Sequence, residues 1–124
     1  MTADIEAALV AELSAALGVL VATQVPDSRP VEFVVLVAGG GPEVRQLVLD
    51  EGTIHWEAWA PDSVRAQALA AGVRDAFEAM SGAQVGSLFV ADAGSTRPRW
   101  FPDGLSGTPR YVGTARVLLH AADH

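Results

Sequence analysis

Three stretches of this chain have residue types and spacings that suit chemistry. His55 and Glu57 stand two apart in a run of alternating apolar and polar residues, so both should project from one side of a strand. Such a pair could ligate a metal or move a proton, but a metal needs third and fourth ligands. His120 is the only other His within an expected strand, and His124 sits at the terminus. A half-exposed His beside a carboxylate on a sheet face is the expectation. Gly39-Gly40-Gly41 could cradle a phosphate, yet phosphate loops open a helix and usually recruit Lys. This one leads into another strand in a chain with no Lys, and it reads as a hairpin turn. Asp103-Gly104-Leu105-Ser106-Gly107 approaches the elbow of serine hydrolases, which has one residue between Ser and each flanking Gly. Here Gly107 follows Ser106 directly and no strand feeds the turn. With no Cys there is no thiolate ligand, cysteine nucleophile or disulfide. The expectation is therefore no catalytic, cofactor-binding or metal-ligating residue, and no enzyme.

Aromatic and Arg side chains are the other candidates. Trp56 and Trp59 fall on opposite faces of one strand, so one can be core and the other lies outside. Trp100 and Phe101 adjoin in a proline-rich loop, where aromatics can cap the protein's own core or anchor a partner. Arg110 and Tyr111 follow Pro109 at the mouth of the last strand, and Tyr111 should pack its ring to anchor it. Three environments remain open for Arg110: bidentate pairing with Asp27 of the same subunit, pairing with an acidic residue of an adjacent subunit, or solvent. Asp27 and Arg29 belong to the other well-marked loop, VPDSRP.

The elements that must position these residues read as follows. Residues 3–17 carry apolar Ile5, Ala8, Leu9, Leu13, Ala16 and Leu17 at helical spacing, with Thr2 as cap and Gly18 as stop. Short strands are expected at Val19–Ala22 and Val31–Ala38, then a returning arm at Val44–Asp50 and a strand at Thr53–Trp59. Pro61 should lie in the first turn of a second helix running to Met80, with Leu69, Val73, Ala76, Phe77 and Met80 buried and Gly82 closing it. Val85–Asp92 and Tyr111–His120 complete the strands. Between them, 93–109 holds three prolines and three glycines and is expected to be an irregular long loop. Residues 121–124 are expected to form a frayed tail. The fold class is α+β: one mixed, mostly antiparallel sheet with two helices mainly on one face, in the order α-β-β-β-β-α-β-β. The other face then needs cover from loops or from a neighbouring subunit.

The chain has 124 residues, the length of one domain, and is half hydrophobic, which excludes general disorder. Fifteen acidic residues against eight basic ones, all Arg, give a net charge of −7. Wrapping nucleic acid requires the opposite balance. No apolar run approaches a membrane span, and Asp4 and Glu6 stand where a signal peptide carries positive charge, so a cytoplasmic origin is expected.

An acidic amphipathic helix leads to VPDSRPVEFVVL, then a glycine hairpin and a strand ending HWEAWAPD that enters an Ala-rich helix; WFPDGLSGTPRY feeds the final strand. In that order, over about Ala3 to Leu119, the chain resembles the tail terminator proteins of long-tailed bacteriophages, in the small form found in phages and prophages of high-GC hosts. The resemblance implies an α/β fold of one sheet with helices beside it and a structural role. The protein would form a ring, usually hexameric, on the last ring of the tail tube. It would stop tube growth and present the surface for the head-completion protein or head–tail connector. DNA would pass through its bore without specific binding, and no cofactor or membrane would be involved. It would be assembled in the host cytoplasm and reside in the virion neck. Candidate contacts to a neighbouring subunit or the tube are Trp100, Phe101, Arg110, Tyr111, Asp27 and Arg29. Other neck proteins, for head completion or head–tail joining, form the alternative within that class. A small cytoplasmic enzyme or ligand-binding α+β domain is the alternative from another.

Overall fold

The computed structural model describes residues 2–40, 43–44 and 49–120. Helix α1 spans Thr2–Leu17, β1 Leu20–Ala22, β2 Phe33–Gly40, β3 Glu43–Val44 and β4 Leu49–Trp59. Helix α2 spans Ser63–Ala79, followed by β5 Ala83–Val85, β6 Leu88–Ser95, β7 Arg99–Trp100 and β8 Arg110–His120. The strands form one sheet in the order β1-β2-β4-β8-β6-β5, with β3 beside β4 and β7 beside β8. Only β1 and β2 run parallel. The sheet is therefore mixed and mostly antiparallel, as the sequence pattern predicts.

Alternation along β4 sets the two faces. Ile54, Trp56 and Ala58 point inward and are buried with Leu36, Ala115 and Val117 of the flanking strands. Leu9 and Leu13 of α1, and Leu69, Val73 and Phe77 of α2, pack against that same cluster. A second, smaller cluster of Phe33, Val35 and Trp59, with Val25 beside it, contains no helical residue. Both helices thus cover one face. The opposite face is closed at one end by loop residues and open along most of its length.

Several boundaries differ from the sequence expectation for local reasons. Asp62, not a residue of the helix proper, caps α2 by accepting from Arg65 N at 2.8 Å, which leaves Pro61 ahead of the cap. Of the expected stripe on α1, Ala16 is exposed, while Val10 packs against the core instead. The returning arm expected at Val44–Asp50 is instead a small side hairpin. Glu43 and Val44 pair with Asp50 and Leu49, and β4 itself is what pairs with β2. Val85–Asp92 is two strands, because Gly86, at φ 60, turns the chain between Val85 and Leu88. Of the turn expected at Gly39-Gly40-Gly41-Pro42, Gly39 and Gly40 instead continue β2, with Gly40 pairing Thr53. Gly41 and Pro42, residues 45–48, the capping side chain of Thr2 and the tail at 121–124 lie outside the described residues.

The tightest contact in the core joins three strands. Trp56 lies opposite Gly113 in the β4–β8 register, and its Nε1 donates to Ser95 Oγ of β6 at 2.8 Å. A Cβ on residue 113 would stand 2.4 Å from Trp56 Cζ2 and 2.6 Å from Cε2. The glycine is what allows the indole to lie across β8. Gly113→Ala should therefore destabilise the fold by about 1–3 kcal/mol through overpacking. Gly94→Ala, where an added Cβ meets nothing within 4 Å, should be close to neutral. Denaturant midpoints for the two variants check this contrast.

Candidate functional site

The end of the sheet formed by Trp59 and Arg110, partners in the β4–β8 register, gathers most of the candidate residues. The Arg110 guanidinium lies over the Trp59 ring at 5.0 Å and over the Phe101 ring at 5.1 Å. Beyond Trp59, Arg29 stands over the same indole at 5.1 Å, and beyond Phe101, Arg99 stands over that ring at 5.4 Å. Arg29, Trp59, Arg110, Phe101 and Arg99 thus form an alternating guanidinium–aromatic ladder. Phe33 stacks on Trp59 with ring centres 5.2 Å apart. A guanidinium over a ring keeps its in-plane N–H groups free to hydrogen-bond, a combination that the compact Lys ammonium does not offer.

Polar contacts lock the centre of the ladder. Arg110 Nε donates to the Phe101 carbonyl at 2.7 Å, and Phe101 N donates back to the Arg110 carbonyl at 2.9 Å. Trp59 Nε1 donates to Glu57 Oε1 at 3.0 Å, while Arg110 Nη1 lies 3.7 Å from the other Glu57 oxygen and 4.0 Å from Asp103 Oδ1. Arg110 therefore pairs within its own subunit, but its carboxylates are Glu57 and Asp103, not Asp27. The register explains why: Glu57 is two residues along β4 from Arg110's own strand partner, on the same face. The pairing is also not bidentate. Trp59, expected outside if Trp56 is core, is buried as well, beneath Phe33 and the arginines.

The stretch 93–109, expected to be irregular, is largely built structure. Strand β6 runs on to Ser95, and β7 pairs Arg99 with Val112 and Trp100 with Tyr111. Asp103 N donates to the Thr108 carbonyl at 3.1 Å, and Gly107, at φ 71, donates to the Asp103 carbonyl at 2.8 Å. Ser106 donates to Asp103 Oδ2 from its hydroxyl at 2.6 Å and from its backbone at 2.9 Å. Residues 99–110 are a braced hairpin arm. Trp100 meets Tyr111 edge-on at 5.2 Å, and Tyr111 reaches the main core, as its anchoring role predicts. Of the six candidates, Phe101, Arg110 and Arg29 share the ladder, Trp100 and Tyr111 form a separate pair, and Asp27 is exposed away from Arg110's contacts. Sequence reasoning did not find Arg99 or Trp59 as ladder members, nor Glu57 and Asp103 as the carboxylates beside Arg110. The Asp-x-x-Ser-Gly pattern of a braced turn was the available signal for Asp103.

His55 and Glu57 do share a face and a groove of about 440 Å³ with Thr96, Arg97, Arg99 and Phe101. His55 Nδ1 sits 3.2 Å from Thr114 Oγ1, and Glu57 is engaged by Trp59 and Arg110. His120 is six residues beyond Thr114 on β8, about 20 Å away at the rise of a strand. Among the described residues no group of three or more His, Cys, Asp or Glu could hold a metal ion, and no helix is long and apolar enough to cross a membrane.

The fold and this site define an α+β domain whose best-formed feature is a hairpin arm clamped to the sheet by a cation–aromatic ladder. A search of solved structures finds the same fold in a chain of the virion of a native gene transfer agent particle. The TM-score is 0.61, with 15% identity over 88% of this chain and 84% of that one. No protein-family model matches the sequence, and no curated protein matches it.

Removal of the ladder's centre should loosen the arm. Arg110→Ala should lower the stability of the isolated subunit by about 1–3 kcal/mol, from two lost ring contacts and a charge-assisted hydrogen bond. Arg110→Lys should recover little of it; urea unfolding of the three proteins measures the effect. The arm should also be acid-sensitive. Hydrogen bonds from the Ser106 hydroxyl and backbone hold Asp103 below the usual carboxylate range, and the charges of Arg110 and Arg29 add to this. Because the folded-state value is depressed, the stabilisation is present above the unfolded carboxylate's pKa and is lost as pH falls through the folded one. The protection factors of the Ser106 and Gly107 amides, relative to the intrinsic exchange rate at each pH, should therefore fall in acid, and Asp103→Asn should show weaker protection without that fall.

Proposed function

We propose that this chain is a structural protein of a phage-type particle and acts there as a tail terminator. In that reading it forms a ring, most simply a hexamer, on the end of the tail tube, stops tube polymerisation and offers the surface to which the head's connector attaches. The protein is no enzyme, and genomic DNA passes through the ring without being held. The observation that carries the reading is the fold shared with a virion chain across most of both lengths. The order of motifs from VPDSRP to GTPRY narrows it to the terminator, and the braced arm supplies a surface for docking to neighbours. A head-completion or head–tail joining protein shares the fold argument equally and is the second reading.

The net charge of −7 fits a bore that must release phosphates, since counterion-linked affinity needs a basic surface. Deleting the gene in a strain that produces the particle should yield tubes of uncontrolled length without heads attached, visible by electron microscopy. Tails of normal length that merely lack heads would favour the joining reading over the terminator. Normal, infectious or DNA-transferring particles would overturn both.

A further inference from the structure

Arg97 and Arg99 line a groove of about 440 Å³ at the base of the arm, together with His55, Thr96, Phe101 and Thr114. Both arginines are exposed, and neither guanidinium meets a carboxylate among the described residues. The carboxylate of the lining, Glu57, is already engaged: Trp59 Nε1 donates to one of its oxygens and Arg110 lies beside the other. The groove thus presents two positive charges that nothing in the subunit neutralises.

These donors are held in place by the fold. The Arg99 guanidinium lies over the Phe101 ring at 5.4 Å, and Phe101 is itself fixed by its two hydrogen bonds with Arg110. Thr96 N donates to the Thr114 carbonyl at 2.9 Å, and Thr114 N donates to Thr96 Oγ1 at 3.0 Å. With Arg99 paired to Val112, the short Arg97-Pro98 link is pinned at both ends. The Thr96 hydroxyl accepts from Thr114 and keeps its own proton to donate. Donors positioned in advance lose little freedom when an anion arrives.

The surroundings decide which anion. At Thr96 and Thr114 this groove meets a second one, lined among others by Glu51, Glu78, Asp92 and Arg116. There Arg116 is paired with Glu51, Glu78 is paired with Arg74, and Asp92 is bonded only by the Ser81 hydroxyl. A nucleic-acid strand needs a track of cations. Running on from Arg97 it would find no free cation in that lining and the charge of Asp92 against it. One isolated acidic side chain fits where a polyanion does not. Phe101, 52% exposed, and Trp100, 46% exposed, add apolar surface that a protein segment can cover.

We propose that this groove binds an acidic segment of a partner protein. One Asp or Glu side chain sits between Arg97, Arg99 and the Thr96 hydroxyl, and a neighbouring apolar side chain packs on Phe101. The proposal goes beyond the particle role given above and holds for a terminator and a joining protein alike.

NMR titration of the isotope-labelled full-length chain tests this with probes of known chemistry. A capped Gly-Leu-Glu-Leu-Gly peptide should shift the amides of Thr96, Arg97, Arg99 and Thr114 and saturate. Its counterpart with Gln for Glu should bind about tenfold more weakly, the loss of one charge-assisted hydrogen bond. Arg97→Gln should weaken the Glu peptide by a similar factor, and its amide spectrum should stay native elsewhere, because Arg97 has no partner within the subunit to lose. Arg65→Gln, on α2 and paired with Glu32, should leave binding unchanged, which separates a seated side chain from general attraction. Equal binding of the two peptides, or no shift at the groove amides, would overturn the proposal. So would tighter binding of a short oligothymidylate, which makes the groove a phosphate site. Shifts at the same residues on concentrating the chain alone would assign the groove to a second copy instead. The measurement uses the isolated subunit, so its failure leaves the particle role standing, and the gene deletion tests that role separately.

Discussion

The fold depends on one close approach: the Trp56 indole lying across the backbone of Gly113. A tryptophan in the centre of an antiparallel sheet normally stands off its neighbours by the width of a Cβ. Here that atom is missing, and the ring drops onto β8 and reaches Ser95 of β6 with its N–H. The burial of so large a side chain would be costly with its donor unpaired, and the Ser95 hydroxyl removes that cost. Three strands are thereby fixed in register by one residue. The inner face to which Trp56 contributes is what α1 and α2 pack against, through Leu13, Val73 and Phe77, all fully buried.

With the helices committed to the inner face, the outer face must manage its own apolar residues. At one end it does so with Phe33, Trp59 and Phe101 interleaved with Arg29, Arg110 and Arg99. Magnitudes show which interaction holds this end together. Ion pairs at 3.7 and 4.0 Å from Arg110 are long and partly solvated, worth at most about 1 kcal/mol together. A guanidinium held over rings is worth about 0.5–2 kcal/mol per contact, depending on desolvation, and Arg110 makes two. Its side chain is 13% exposed, which places it nearer the upper figure. The ladder, not the charge pairing, clamps the arm.

What could be read from the sequence was what local periodicity carries. The alternation of Thr53–Trp59 gave the faces of β4, and the three- and four-residue spacing gave both helices. The burial of Trp59 could not be read, because its cover comes from Phe33, Arg29 and Arg110, all distant in the chain. Arg110's partners were missed for the same reason: strand register, not loop proximity, brings Glu57 to it. The stretch 93–109 was misread on a different ground. Pro98 and Pro102 lie just outside the two paired residues of β7, and Pro109 just ahead of β8, where no ladder N–H is needed. Proline there delimits short strands instead of forbidding them. The Gly86-Ser87 turn between β5 and β6 carried a recognisable two-residue hairpin signal.

A likeness at 15% identity transfers the arrangement of elements and leaves the surfaces to be argued from this chain alone. Those surfaces are uneven in an informative way. A chain with nearly twice as many acidic as basic residues places Arg29, Arg97, Arg99 and Arg110 together at one end of one face. Two of them face outward with no carboxylate partner among the described residues. Folding stability does not require that: Arg110 alone bridges the two rings that clamp the arm. Self-repulsion within such a cluster is a cost borne by the free subunit, and it is relieved when an acidic surface is brought up against it.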